Sequence, residues 1–133
     1  MEYVKSYREL EVYKFSRQLS KEIFELSKKF PKEEMYSLID QIRRSSRSVG
    51  AQIAEAWAKR KYEKHFISKL TDSDGEQLET QHWLETAFDC SYITKETVSD
   101  LQNKCESVGK MLNSMINKSD LFCTKSKDKG NRK

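Results

Sequence analysis

Apolar side chains recur every three or four residues along most of this chain and seldom alternate with polar ones. That spacing places them on one stripe of a helix with 3.6 residues per turn, whereas alternation would indicate strands. The clearest case is the segment 41–57, in which Ile42, Val49, Ile53 and Trp57 form such a stripe. The pattern predicts four helices, each with one face directed towards a shared core.

The first helix is predicted from about Glu9 to Phe30, because Pro31 pushes the residue before it out of the helical region. The same proline is able to open the second helix, which is predicted to extend to about Lys59. The core positions expected in these two helices are Val12, Phe15, Leu19, Ile23, Leu26, Phe30, Leu38, Ile39, Ile42, Val49, Ile53 and Trp57.

A polar hinge at 59–63 leads to the third helix, which is predicted to end near Cys90. Its midpoint, residues 71–75, is poor in helix formers, and a kink is expected there. The fourth helix is predicted to be capped by Thr94 or Thr97. The expected core positions are Phe66, Ile67, Leu70, Leu78, Trp83, Leu84 and Phe88 in the third helix, and Val98, Leu101, Cys105, Val108, Leu112 and Met115 in the fourth.

Short connections between long helices favour antiparallel neighbours. The predicted fold is therefore all-α, an antiparallel up-down four-helix bundle over residues 1–116, and 133 residues suit a single domain. After Ile116 the periodicity is lost. Residues 117–133 are predicted to form a basic, disordered tail.

Composition narrows the class of protein further. No segment approaches the ~20 apolar residues that span a bilayer, and the amino-terminal sequence has no apolar stretch that could serve as a secretion signal. The three cysteines, Cys90, Cys105 and Cys123, have neither metal-ligand spacing nor a CxxC motif. They are expected to be reduced thiols of a cytoplasmic protein with no membrane partner.

Charge is unevenly distributed along the chain. The formal net charge of +4 resides in the predicted tail, so residues 1–116 are neutral as a whole. Within them the segment 71–106 is mostly acidic, while the second helix and the hinge are basic. The candidate phosphate contacts are Arg43, Arg44, Arg47, Lys59, Arg60, Lys61 and Lys64. A nucleic-acid-binding protein needs such cations to displace counterions from phosphate; the alternative is that the arginines pair with the acidic segment, within the bundle or across a subunit boundary.

Patterns typical of enzymes and metal sites are incomplete in this sequence. Residues 72–76 begin like a calcium loop, but Gly75 comes too early and Trp83 stands where the final glutamate is needed. His65 and His82 lack the Glu-x-x-His context of a metal site in a bundle. The serines of the second helix have no histidine or acid partner at a recognisable spacing. The sequence therefore predicts a non-enzymatic protein with no metal and no cofactor.

Several stretches of the chain resemble a widespread bacterial family of four-helix bundles, which includes proteins encoded within intervening sequences of large-subunit ribosomal RNA genes. The matching landmarks are Leu10, Val12, Tyr13, the Phe-Pro-Lys-Glu-Glu turn at 30–34, Gln-Ile-Arg-Arg at 41–44, Ser48, Val49, residues 52–56, residues 79–81, Tyr92 and Ile93. The resemblance covers roughly Leu10 to Ile116. It departs at Gly50, where many relatives have a proline, and at Asp74-Gly75.

The resemblance implies properties that composition does not. Members of this family look like ring-shaped homopentamers of antiparallel bundles. A related group acts as the accessory protein beside the reverse transcriptase of diversity-generating retroelements, where a basic surface is thought to engage nucleic acid. The resemblance therefore implies a homo-oligomer, with RNA, DNA or a protein such as a reverse transcriptase as its partner.

Taken together, these features predict an oligomeric protein that binds the RNA or DNA backbone without reading sequence. The alternative is a protein–protein scaffold or accessory subunit whose charged faces pair subunits or a partner protein. Ala51, Ala54 and Ala58 form a strip of small residues on the second helix, rotated away from its apolar stripe. Such a strip allows the backbone of a second copy to come close.

Overall fold

The computed structural model describes residues 4–124, and the regular structure in that range is entirely helical. The four long helices are α1 (Glu11–Ser27), α2 (Leu38–Ala58), α3 (Glu63–Asp89) and α4 (Lys95–Asn117), and a short helix, α5 (Ser119–Phe122), follows α4. Two 3-10 turns lie at Tyr7–Glu9 and Lys32–Glu34. No helix within this range is long and apolar enough to cross a lipid bilayer.

Each long helix packs against two others. α2 lies against α1 and α3, and α4 closes the bundle between α3 and α1. Ion pairs show that α2 and α3 run antiparallel, because Arg44 meets Glu79 whereas Glu55, further along α2, meets Lys69, which lies earlier in α3. The predicted four-helix bundle is therefore confirmed.

The connection between α1 and α2 differs from its prediction. α1 ends at Ser27 rather than Phe30, and Pro31 precedes a 3-10 turn instead of opening α2, which begins only at Leu38. Pro31 is extended, with a ψ of 144°. Phe30 is nevertheless buried as expected, with 5% of its surface exposed, because the chain turns inward before the proline.

Glu34 ties this connection to the turn between α3 and α4, which lies at the same end of the bundle. Its carboxylate accepts hydrogen bonds from the hydroxyls of Ser37, at 2.6 Å, and Tyr92, at 2.8 Å. These bonds lower the pKa of Glu34 and raise the pKa of Tyr92 to about 12. The Tyr92 ring also lies 5.5 Å from the ring of Phe30. The connection is thereby fixed by both apolar and polar contacts.

The predicted core is confirmed in α2 and α4. Every predicted position in these helices is buried apart from Trp57, which is half-buried against the core. α4 begins as expected, since the Thr94 hydroxyl accepts a hydrogen bond from the backbone N–H of Thr97 at 3.1 Å. In α1, Phe15 and Leu26 are only half-buried, while the other predicted positions are buried.

α3 departs most from the sequence-based expectation. Leu78 and Phe88, predicted to face the core, are 55% and 40% exposed. The helix also continues without a break through residues 71–75, so the expected kink is absent. Its buried positions follow one another at spacings of three and four, and several of them are polar: Phe66, Leu70, Ser73, Gln77, Thr80, Leu84 and Ala87.

The polar residues inside α3 are buried because they bond to α2. The Ser73 hydroxyl donates to the backbone carbonyl of Val49 at 2.8 Å, and the hydroxyls of Thr80 and Ser45 are 2.8 Å apart. Each of these three hydroxyl side chains is almost completely inaccessible to solvent. Small side chains that reach a neighbouring helix in this way hold α2 and α3 at close range. We refer to these residues as the polar layer.

The chain beyond α4 is more ordered than predicted. The Phe122 ring stacks 5.9 Å from Phe66, and the Ser119 hydroxyl donates to Glu63 at 2.5 Å. Cys123 is 7% exposed. The predicted disorder is therefore wrong for residues 117–124, because Asn117 is the last residue of α4 and the segment after it covers the start of α3. The rest of the predicted tail, 125–133, lies outside the described residues.

Replacing Phe122 with alanine should lower the free energy of unfolding by about 1–3 kcal/mol, since a half-buried aromatic contact with Phe66 is removed. Leu121→Ala is the matched control, because Leu121 is 56% exposed, and it should change stability by less than about 0.5 kcal/mol. Urea denaturation followed by circular dichroism measures both. Equal stabilities would show that the segment does not dock in solution.

Candidate nucleic-acid interface

The structure places the seven candidate phosphate contacts in three different surroundings. Arg44 faces α3, and Arg43 and Arg47 lie beside α1. The other four belong to the turn between α2 and α3 or to the first turn of α3. The three arginines of α2 differ because successive residues of a helix point in different directions, so that one faces α3 and two face α1.

Arg44 pairs with the acidic helix. Its Nη2 lies 2.5 Å from Oε2 of Glu79, and its Nη1 lies 3.5 Å from Oε1 of Glu76. The Trp83 indole N–H donates to the same Glu79 oxygen at 2.9 Å. The hydrogen bond to Glu79 raises the pKa of Arg44, and the bond from Arg44 lowers the pKa of Glu79. Pairing with the acidic segment is the alternative to phosphate binding that the sequence predicts, and Arg44 forms that pairing within the bundle.

Arg43 and Arg47 both stack on the side chain of Phe24. Their guanidinium carbons lie 4.5 Å and 5.2 Å from the ring centroid. Arg43 is further tied to α1, since its Nε donates to the Ser27 hydroxyl at 2.7 Å. Arg47 is exposed and forms no salt bridge with any residue in the range 4–124. Of the three arginines on α2, Arg47 is the most available to an external anion.

The turn between α2 and α3 presents the most open cations. Lys59, Lys61 and Lys64 are exposed, and none of them forms a salt bridge with a residue that the structure describes. Arg60 is different, because its guanidinium lies 3.7 Å from the centroid of the Trp57 ring and its Nε donates to the Trp57 carbonyl at 2.9 Å. Burial lowers the pKa of Arg60. We call these four residues the turn patch.

Carboxylates near the turn patch are engaged by other groups. Glu55 is 2.7 Å from the ammonium of Lys69, whose hydrogen bond lowers the pKa of Glu55. Glu63 accepts the hydroxyl of Ser119. The turn patch therefore keeps a positive surface although acidic residues lie close to it in sequence.

Sequence reasoning missed two basic residues on α1. Arg17 and Lys21 line a cleft of about 430 Å³ between α1 and α2, together with Gln18, Ser20, Phe24 and Arg47. Their spacing of four residues signals a shared helix face. The sequence did not show that this face adjoins Arg47, because that depends on how α1 and α2 pack.

The described residues do not assemble the groups of a metal centre: no three His, Cys, Asp or Glu side chains converge within 4–124. His65 lies beside the Tyr62 ring, and His82 beside the Trp83 ring. Burial raises the pKa of the Cys105 thiol to about 12, so this cysteine stays protonated and serves as an apolar core residue. The chemistry that these surfaces support is electrostatic attraction of anions.

The fold and the charges therefore define the class of this protein, which is a small helical bundle with basic surfaces. Residues 8–114 match the family described as 23S rRNA-intervening sequence protein. This match covers most of the chain, and the protein belongs to that family. The resemblance found in the sequence is confirmed by this match.

A solved structure shows the same architecture. The crystal structure of a protein of unknown function from the S23 ribosomal protein family of Bacteroides thetaiotaomicron is 33% identical to this chain, with a TM-score of 0.73. The match covers 80% of this chain and 95% of that one. None of the curated proteins matches the chain.

Arg44→Gln should destabilise the bundle by about 0.5–1 kcal/mol at neutral pH, a value reduced by the partial solvent exposure of the pair. Arg47→Gln is the matched control and should leave stability within about 0.5 kcal/mol of the original protein. Urea unfolding of both variants measures the difference.

The pH dependence of the Arg44 effect has a defined sign. The folded-state pKa of Glu79 lies below its ordinary value of 4.5, so the stabilisation is present above the ordinary pKa and is lost as the pH falls through the folded pKa. The stability difference caused by Arg44→Gln should therefore disappear in acid. A difference that persists there would show that packing, not charge, is responsible.

Proposed function

We propose that this protein is a non-enzymatic, oligomeric bundle that binds the phosphate backbone of RNA or DNA without reading base sequence. Its contacts are Lys59, Lys61 and Lys64 of the turn patch, with Arg47 as a further contact on α2. Backbone binding requires only cations that can replace counterions. We further infer a cytoplasmic location, since an exposed free cysteine such as Cys90 suits a reducing compartment.

The observation that carries this proposal is the set of three exposed lysines without a salt bridge at one end of the bundle. Other basic residues form ion pairs with a neighbouring helix, as Arg44 does with Glu79 and Lys104 does with Glu22 at 2.8 Å. A solvated ammonium that forms no salt bridge is available to an external anion. The sugar-phosphate backbone of a nucleic acid is an abundant polyanion that such a cluster attracts.

The carboxyl-terminal segment adds to the same end of the molecule. The Thr124 N–H donates to the carbonyl of Arg60 at 3.2 Å, so the chain leaves the described range beside the turn patch. The sequence that follows, 125–133, is strongly basic: Lys125, Lys127, Lys129, Arg132 and Lys133, with Asp128 as its one acid. This basic sequence therefore begins directly after a residue that is bonded to the turn patch.

A scaffold or accessory role is the second candidate, and it has its own observation. Leu78 and Phe88 of α3 are large apolar residues on the outside of the bundle, and exposed apolar surface marks protein contacts when it forms a patch. These side chains would bind another copy of this chain or a partner protein such as a reverse transcriptase. The two roles are compatible, because the turn patch ends in the first turn of α3 whereas Leu78 and Phe88 lie further along that helix.

Self-assembly is part of the proposal. On α2, Ala51 and Ala58 are exposed and Ala54 is half-buried, so the small-residue strip identified in the sequence faces outward, where the backbone of a second copy can approach. We propose a symmetric homo-oligomer, and the family resemblance favours a pentamer in a ring.

Changing Lys61 and Lys64 together to glutamine should weaken binding to a short RNA and flatten its salt dependence by about one to two units of slope, because each lost phosphate contact accounts for roughly 0.7 to 0.9. The control is Lys95→Gln with Lys110→Gln, which removes the same charge from exposed positions on α4. Fluorescence anisotropy over a range of salt concentrations measures the slopes. If both double variants behave alike, or if the original protein does not bind, the turn patch is not a nucleic-acid site.

Replacing Ala54 with leucine should reduce the order or stability of the oligomer, with a cost of about 1–3 kcal/mol typical of overpacking. Ser99→Leu adds a similar side chain to the exposed face of α4 and should leave assembly unchanged. Multi-angle light scattering reports the molecular mass. A monomer at micromolar concentration in the original protein would refute the assembly proposal.

A further inference from the structure

A groove runs between α1 and α2 on the outside of the bundle. One end is the cleft lined by Arg17, Lys21, Phe24 and Arg47, which we call the basic end. It continues into a cleft of about 390 Å³ whose lining includes Ala51, Ala54 and Gly50. The two clefts share Arg17, Ser20 and Arg47 as lining residues. The groove is therefore one continuous surface with a charged end and a small-residue end.

The basic end has cations on both of its walls and no carboxylate in its lining. Arg17 and Lys21 lie four residues apart on α1, which separates them by about 6 Å along the helix axis. Like charges at this spacing repel each other in a helix, and Arg47 adds a third positive charge from α2. None of the three forms a salt bridge with a residue in the described range. An external anion would relieve this repulsion.

The aromatic side chains in the groove orient the guanidinium groups. Arg47 lies over the Phe24 ring, and Arg17 lies 6.0 Å from the centroid of the Tyr13 ring. Stacking uses the flat face of a guanidinium and leaves its N–H edge available for hydrogen bonds to oxygen. Ser20 and Gln18 add neutral polar groups to the same lining. Planar cations held in this way match the geometry of phosphate oxygens.

We propose that the basic end of the groove is a second phosphate-binding site, which takes neighbouring phosphates of one nucleic-acid strand between Arg17 and Lys21 of α1 and Arg47 of α2. This inference rests on the proposed nucleic-acid function and adds residues that lie on a different helix from the turn patch. The small-residue end, with Ala51 and Ala54, remains the place where a second copy approaches. The strand thus lies along α1, next to the subunit contact.

The test changes Arg17 and Lys21 together to glutamine and measures anisotropy of a fluorescent oligouridylate as salt is varied. The salt slope should fall by about one to two units relative to the original protein. Lys95→Gln with Lys110→Gln removes the same net charge from α4 and should produce a smaller change. Light scattering of the same samples should show an unchanged oligomer, because Ala51 and Ala54 are left intact and Lys21 does not line the small-residue end.

A second measurement locates the strand directly. Gln18→Cys, made in a Cys90→Ser background, places a thiol at the basic end, while Cys105 and Cys123 stay buried. Oligouridylate should slow its reaction with a maleimide. Ser99→Cys on α4, in the same background, is the matched control and should react at the same rate with and without the oligonucleotide.

The outcomes separate this inference from the function on which it rests. If the Lys61 and Lys64 variant loses affinity while the Arg17 and Lys21 variant matches its control and Gln18→Cys is not protected, the groove proposal is wrong and the turn patch stands. If the groove variant changes oligomer size and the thiol is shielded without RNA, the occupant is a second copy of this chain, which also overturns the proposal. If the original protein does not bind oligouridylate or a DNA equivalent, both proposals fail.

Discussion

The close contact between α2 and α3 is the constraint on which the rest of the bundle depends. It is set by the polar layer, where Ser73 reaches a backbone carbonyl of α2 and Thr80 meets Ser45. Hydroxyl groups buried this deeply are costly unless they are paired, so sliding α3 along α2 would leave them without partners. The layer therefore fixes the register of these two helices. That register in turn sets Arg44 opposite Glu76 and Glu79 and leaves Arg47 facing away from α3.

Sequence periodicity predicted the fold because the large apolar residues of α2 and α4 recur at helical spacing and are mostly buried, although Ser45 and Ser46 lie among them in α2. It failed on α3, where the inner stripe passes through Ser73, Gln77 and Thr80 and the large apolar residues Leu78 and Phe88 lie elsewhere. A search for apolar residues cannot find a buried face that is polar. The same limit explains the expected kink at residues 71–75, since Ser73 is stabilised in the helix by a partner on another helix.

The candidate site was predictable in part. Local sequence identified Lys59, Lys61 and Lys64 as exposed cations, because a turn projects its side chains into solvent. It did not separate Arg44 from Arg47, since the way in which α2 packs against α3 decides which of them meets the acidic residues. Arg17 and Lys21 were missed because their significance arises only when α1 and α2 pack together. The docking of Phe122 on Phe66 was missed for a related reason: the contact joins segments far apart in sequence, and the residues after Ile116 show no helical period.

The two tryptophans lie in distinct electrostatic surroundings. Trp57 lies beneath the guanidinium of Arg60, next to the turn patch, while Trp83 donates its indole N–H to the carboxylate that pairs with Arg44. Indole emission responds to nearby charge, so each ring is an intrinsic optical reporter of a different region. The molecule thus carries one fluorophore beside the turn patch and another beside the ion pairs that join α2 to α3. Replacing either tryptophan separates the two signals.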